Sequence, residues 1–244
     1  MATDPLFVED AFLQQAEATV LAVNERGGII LDRTIFYATS GGQPGDTGTL
    51  TRADGSAVEI GATIYGADKS EIIHVPAGND QLPEPGEIVR LDLDWPRRHN
   101  HMRMHTALHL LCSLVPYPVT GGSIGEVDSR LDFDIEDAGA IEKDALTEQI
   151  NALVAAGHPI TNRWISDDEL AANPDMVRTM SVKPPMGTGK VRLIGIGVDE
   201  EVDLQPCGGT HVANTSEIGP VHISKIEKKG RQNRRIRIRF GEAS

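Results

Sequence analysis

The chain has 244 residues, enough for one large domain or two modest ones with a sizeable core. Its 39% hydrophobic and 24% charged residues are ordinary for a globular protein, and no apolar run approaches the ~18 residues needed to span a bilayer. A net charge of −13 excludes broad, non-specific coating of nucleic acid, DNA above all.

The first ten residues, MATDPLFVED, carry no basic segment followed by an apolar one, so no secretory signal is expected. The N-terminal third reads as β structure. "ATVLAV", "GIILDRTIFYAT", "TGTLTR" and "EIIHVPA" are short β-prone runs separated by Gly, Asp, Asn and Pro. "PAGNDQLPEPG", 76–86, is polar and turn-rich and reads as a hairpin loop. "GEIVRLDLDW" sets Ile88, Arg90 and Asp92 against Val89, Leu91 and Leu93, the alternation of a strand with one buried face. The expected result is a small β-barrel. The boundary falls near Asp94–Arg98, giving a glycine-rich, barrel-like domain over 1–94 and a second domain over 95–244.

The pattern then changes. "RRHNHMRMHTALHLLCSLV" has helical spacing, with Met104, Leu108, Leu111 and Val115 on one face and Pro116 and Pro118 as stops. "RLDFDI" alternates as a strand, Leu131, Phe133 and Ile135 opposite Asp132 and Asp134. "EKDALTEQINALVAAG" is a second helix, apolar at Leu146, Ile150, Leu153 and Val154 and ended by Gly157. "TNRWIS", "KVRLIGIG", "GPVHISKIEKKG" and "RQNRRIRIRF" read as strands. Two helices against a mostly antiparallel sheet make the second domain, and the whole fold, α+β.

Charge is unevenly distributed. Residues 225–239, KIEKKGRQNRRIRIR, are net +7 and the remainder net −20. A small basic strip on an acidic body suits a limited contact with phosphates. On the last strand Arg235, Arg237 and Arg239 face one way and Ile236, Ile238 and Phe240 the other. The arginine face, with Lys228, Lys229 and Arg231, is a candidate phosphate track; a solvated edge strand protected by charge is the alternative.

The two cysteines, Cys112 and Cys207, are too few for a disulfide framework, and a reducing cytoplasm is the simplest setting. Cys207 lies in "LQPCGGTH", four residues before His211. "HTALH" supplies His105 and His109, four apart on a helix, whose Cβ atoms are then roughly 5–6 Å apart. Two imidazoles so placed can share one ion, and a thiolate and a third imidazole from a glycine-flexed loop complete four donors. One sulfur and three nitrogens suit Zn2+ and reject magnesium and calcium. His101 also falls four before His105, so a His101, His105 and His109 set with an open position is a rival assignment; His99 lies on another face and is expected in solvent. Thr106, Ala107 and Leu108 supply no glutamate general base between the histidines.

With both motifs in view, "HTALHLL" and "CGGTHV" resemble the zinc signature of the editing domain of alanyl-tRNA synthetases and of the freestanding AlaX editing proteins, to which a threonyl-tRNA synthetase domain is related. "TIFYATSGGQPGDTG", 34–48, resembles the glycine-rich motif of the medium-sized AlaX class, and "KIEKKGRQNRRIRI" its final basic hairpin. The resemblance covers nearly the whole chain in order. It implies a trans-editing hydrolase that deacylates mischarged alanine tRNA, carrying serine and also glycine, with the acceptor end of that tRNA as partner. It implies zinc ligands at His105, His109, Cys207 and His211, which demotes His101. The length leaves no room for an aminoacylation domain.

One departure concerns the pocket. Alanyl-tRNA synthetases usually carry a glutamine two residues before the "GS" that follows the zinc helix; here the stretch is "VTGGSIG" and that position is Thr120. Thr120, Gly121, Gly122 and Ser123 are therefore the candidate substrate pocket, with turn formation as the alternative. Gln43, in "SGGQPGDTG", is a candidate contact for the tRNA end rather than a catalytic group, and Pro44, Gly45 and Asp46 read as a β-turn. No side-chain base is evident. A tRNA-binding module with a purely structural zinc, and a zinc hydrolase for an unrelated small ester, are the competing readings.

Overall fold

The computed structural model describes residues 2–67, 69–135, 141–179 and 189–242. The chain divides into two compact units, Met1–His99 and Asn100–Ser244. The first turn of the long helix α1 (Trp95–Leu114) therefore goes with the first unit and the rest with the second.

The first unit is built on β1 (Asp4–Pro5), β2 (Gln15–Val23), β3 (Ile29–Leu31), β4 (Arg33–Thr34), β5 (Gly48–Arg52), β6 (Ala57–Tyr65), β7 (Ile72–Pro76) and β8 (Ile88–Leu93). Six of these close into a barrel in the order β2-β3-β7-β6-β5-β8, while β1 and β4 pair in parallel beside it. The alternation in β8 has the expected consequence: Val89, Leu91 and Leu93 are buried and Ile88 is 62% exposed. They pack with Ala18, Val20, Leu31, Phe36, Leu50, Val58 and Ile60 to fill the barrel. β6 was not expected from the sequence, because Gly61 and Ala62 interrupt its apolar pattern; the structure bulges there, between Ile60 and Ala62.

The segment 76–86 is not a hairpin loop. β7 pairs with β3 and β6, whereas β8 pairs with β2 and β5, so the loop crosses from one side of the barrel to the other. Closure explains this, since β8 is needed to join β2 to β5 and leave no open edge. The turn near Gln43 also falls earlier than expected. Ser40 and Gln43 exchange backbone hydrogen bonds of 2.8 and 3.1 Å around Gly41 (φ 56°) and Gly42 (φ 83°). Two successive positive φ values define the tight hairpin turn, and only glycine adopts them without strain. Gln43 itself is buried.

The second unit contains β9 (Val119–Ser123), β10 (Asp128–Asp134), α2 (Lys143–Ala156), β11 (Ile160–Ser166), α3 (Asp167–Ala172), β12 (Lys190–Ile196), β13 (Asp203–Pro206), β14 (Val221–Lys228) and β15 (Asn233–Phe240). Among the described residues they form an antiparallel sheet in the order β14-β15-β10-β9 and another in the order β11-β12-β13. α2 buries Leu146, Ile150 and Val154 and ends on Gly157, whose φ of 68° gives the left-handed cap. α3 starts at a full capping box, Ser166 with Glu169, a signal present in "ISDDEL" that the two-helix reading passed over.

Two sequence readings change here. α1 is buried on most sides rather than on one face: Met102, Met104, Ala107, Leu108, Leu110 and Leu111 are all 4% exposed or less. The histidines and Thr106 make it look amphipathic, yet His101, His105, Thr106 and His109 are buried too. β15 is also no edge strand. It lies between β14 and β10, so the charge of its arginines must be met across strands rather than by solvent alone.

Candidate metal centre

α1 and the loop after β13 meet around four side chains. The donor atoms of His105, His109, Cys207 and His211 all lie within 4.8 Å of one another. Cys207 Sγ is 3.5 Å from His105 Nε2 and 3.3 Å from His211 Nε2. A tetrahedral site with ~2.3 Å sulfur and ~2.05 Å nitrogen bonds would space these pairs at about 3.6 Å. The donor chemistry and spacing therefore fit one ion. His101, one turn earlier on α1, is buried but outside the group. His99 stacks on Trp95 with ring centroids 5.4 Å apart and is half-buried rather than in solvent.

The imidazoles are oriented by residues that sequence reasoning missed. Asp203 Oδ2 accepts a hydrogen bond from His109 Nδ1 at 2.8 Å, which leaves Nε2 for the cluster. Gln205 Nε2 donates to the same carboxylate oxygen at 2.7 Å. Thr106 Oγ1 donates to Met102 O at 2.9 Å and lies 3.2 Å from His211 Nδ1, so it accepts the proton on that nitrogen and turns His211 Nε2 toward Cys207. Such outer partners fix ring tautomer and ligand basicity. On the loop, Cys207 N donates to Arg192 O at 3.1 Å, and Arg192 in turn donates to Gly209 O at 2.8 Å. The sequence reading named no strand in "DLQPC"; once β13 forms, its period of two sets Asp203 and Gln205 on one face, and the fold brings that face to His109.

Electrostatics favour cation capture at Cys207 and His211, whereas a proton held on His109 would have to leave first. Burial works against the Cys207 thiolate, but neighbouring His105 and His211 outweigh it and hold the thiol well below its ordinary value. Burial, reinforced by His105, holds His211 well below the imidazole range, so it is neutral. Burial opposes a charge on His109 too, yet Asp203 and Cys207 raise it to about 10. Gly208 is exposed and Cys207 partly so, while the three histidines are buried.

The other expected site residues fall in the second unit's four-stranded sheet and in the barrel. Thr120, Gly121, Gly122 and Ser123 form β9 against β10, and Thr120 Oγ1 donates to Asp132 O at 3.1 Å. Arg235 makes a two-point contact with Asp132 at 2.8 and 2.9 Å. Arg237 bridges Glu227 at 2.8 Å and Asp128 at 2.9 Å, and Arg239 reaches Asp128 at 3.0 Å. Lys229 contacts Glu227, whose carboxyl is held down to about 2 by Arg237 first and then Lys229. Lys228 and Arg231 are exposed and enter no ion pair among the described residues.

This pairing of a barrel with a His–His and Cys–His centre defines a class, and comparison with known proteins identifies it. Residues 191–237 match the family model described as the threonyl and alanyl tRNA synthetase second additional domain, and residues 6–97 match class II (A) tRNA synthetases. Alanyl-tRNA editing protein AlaX-M of Methanosarcina acetivorans is 35% identical over 96% of this chain and 97% of its own. Its namesake in Saccharolobus solfataricus is 30% identical over 96% and 97%. The alanine–tRNA ligase of Pyrobaculum arsenaticum is 33% identical over 93% of this chain, which spans only 25% of that enzyme. The chain belongs to the family of AlaX-M alanyl-tRNA editing proteins.

Proposed function

We propose that this protein is a cytoplasmic trans-editing hydrolase that cleaves the aminoacyl ester of alanine tRNA mischarged with serine and, as a second substrate, glycine. The observation that carries the reading is the convergence of His105, His109, Cys207 and His211, next to the exposed Gly208, in a chain of this family. The second unit is the editing domain in this reading, and the barrel carries the glycine-rich motif.

Zinc is the ion we assign to the four donors, because a thiolate with three imidazoles matches its softness and tetrahedral preference. When bound it supplies Lewis-acid polarisation. Four protein donors fill a tetrahedral shell, which favours positioning of the substrate over delivery of hydroxide. Asp203 and Thr106 keep the imidazole rings aimed, and Arg192 holds the loop backbone. An aminoacyl ester is already activated, so correct placement beside water, with help from the terminal ribose hydroxyl, is sufficient chemistry. Thr120 and Ser123 are the candidate hydroxyls for serine. A site that must hydrogen-bond the serine hydroxyl leaves its own groups unpaired when alanine enters, worth ~10⁴ in discrimination.

Lys228, Lys229, Arg231, Arg235, Arg237 and Arg239 form the proposed tRNA track. Their acidic partners cancel part of the charge, so Lys228 and Arg231 carry most of the available attraction. Gln43 takes part only if the turn at Gly41–Gly42 opens. Hydrolysis of seryl-, glycyl- and alanyl-tRNA by the purified protein, with and without chelator, tests the reading. Release of serine but not alanine, lost on chelation, is the expected result. Binding of tRNA with no hydrolysis would leave a tRNA-binding module with a structural ion.

A further inference from the structure

We propose that Trp164, with Lys190 over its ring, is a stacking platform for an unpaired base at the 3′ end of the RNA. The inference deepens the editing reading and rests on it. Register is the starting point. Trp164 pairs with Arg192 across β11 and β12, and Ile194 and Ile196 pair with Gln205 and Asp203 across β12 and β13. Antiparallel partners point to the same side of a sheet, as do residues two apart on one strand. Trp164, Lys190, Arg192, Gln205 and Asp203 therefore share one face. The opposite face carries Ile165, Val191 and Leu193, which bury against Leu170 of α3.

The shared face ends at the metal centre. Asp203 contacts His109 directly, and Arg192 donates to Gly209 in the Cys207 loop. At its other end is Trp164, 47% exposed. Two strand spacings separate β11 from β13, about 10 Å, the scale of one or two nucleotides. Lys190 Nζ lies 5.1 Å from the indole centroid. An exposed indole with a cation over it matches the means by which proteins hold single-stranded nucleic acid: the ring stacks a base and the cation meets the backbone. Arg192, Gln205 and Asp203 are buried on this face. Trp164, however, pairs with Arg192, and Arg192 O accepts from Cys207 N, so Trp164 and the partly exposed Cys207 flank β12 about 10 Å apart. Nucleotides joined to an ester at the four donors would pass outside β12 toward Trp164.

The chain has two tryptophans, so a Trp95→Phe protein reports Trp164 alone by fluorescence. It is titrated with an uncharged alanine tRNA transcript and with the same transcript lacking its single-stranded 3′ end. Saturable quenching by the intact RNA, weak or absent with the truncated one, is expected. Trp164→Ala should bind intact tRNA about tenfold more weakly, bind truncated tRNA as the parent does, and retain its metal content, while Trp164→Phe recovers part of the affinity. Equal affinity of parent and Trp164→Ala for intact tRNA would overturn the proposal. So would Trp164 emission that follows protein concentration instead of RNA, which would assign the β11 edge to a second copy of the chain. Both readouts use uncharged RNA, so they stand apart from a failure of editing, which would show as absence of seryl-tRNA hydrolysis by the parent protein.

Discussion

Asp203 Oδ2 lies 2.8 Å from His109 Nδ1 and joins β13 to the histidine pair of α1. The carboxylate fixes which imidazole nitrogen faces the cluster. Asp203→Asn should lower zinc affinity by about 10- to 100-fold while the fold persists, and Thr106→Val should act similarly through His211. Competition with a chromophoric chelator measures this. Unchanged affinity in both variants would remove the outer partners from the account of the site.

Arg98 and Asp46 form a fully buried ion pair that fastens the first turn of α1 to the glycine-rich segment. Arg98 Nε donates to Asp46 Oδ2 at 2.9 Å, Tyr37 N donates to the same oxygen at 2.6 Å, and Arg98 also donates to Ile35 O and Ala11 O. Asp46→Ala leaves a guanidinium buried without its carboxylate and should destabilise the protein by about 3–5 kcal/mol in urea unfolding. A loss below about 1 kcal/mol would mean that solvent reaches Arg98.

His74 sits inside the first unit, its Nδ1 donating to Ile29 O at 3.1 Å and its Nε2 2.7 Å from Thr34 Oγ1. Burial lowers its pKa from 6.5 to about 4. Between those values the unfolded chain binds a proton that the folded chain does not. The contribution is thus complete above pH 6.5 and declines as pH falls toward 4, by about 3 kcal/mol in all. His74→Gln can keep both hydrogen bonds without titrating. Its stability relative to the parent should improve on acidification from pH 7.5 to 4.5; a constant difference would contradict a neutral buried His74.

The arginine strand predicts a split between two kinds of cation. Lys228→Ala and Arg231→Ala should each flatten the salt dependence of tRNA binding by about one unit and leave Tm unchanged. Arg237→Ala takes one cationic partner from each of Asp128 and Glu227, and should also lower Tm by about 2–4 °C. An unchanged slope for Lys228→Ala would count against the track.

The barrel strands with strict alternation were legible in the sequence, because one buried face leaves a period-two trace in residues such as Val89, Leu91 and Leu93. β6 and β9 were not, since Gly61, Gly121 and Gly122 erase that trace and pairing with neighbours decides their state. At the site, helical spacing and a Cys–Gly–Gly–Thr–His loop were enough to name four donors. Asp203 and Thr106 were out of reach for a common reason: their partners lie on other elements, and only strand pairing and helix docking bring them together. The pairing of Arg235 and Arg237 with Asp132, Asp128 and Glu227 was hidden in the same way, because net charge along a sequence does not say which charges meet across strands.

Hydrolysis of seryl-tRNA measured alongside zinc content in Cys207→Ala tests the central claim most directly. The account predicts that both fall together, to background hydrolysis and to well under one ion per chain. Parental deacylation by a zinc-free Cys207→Ala protein would contradict it.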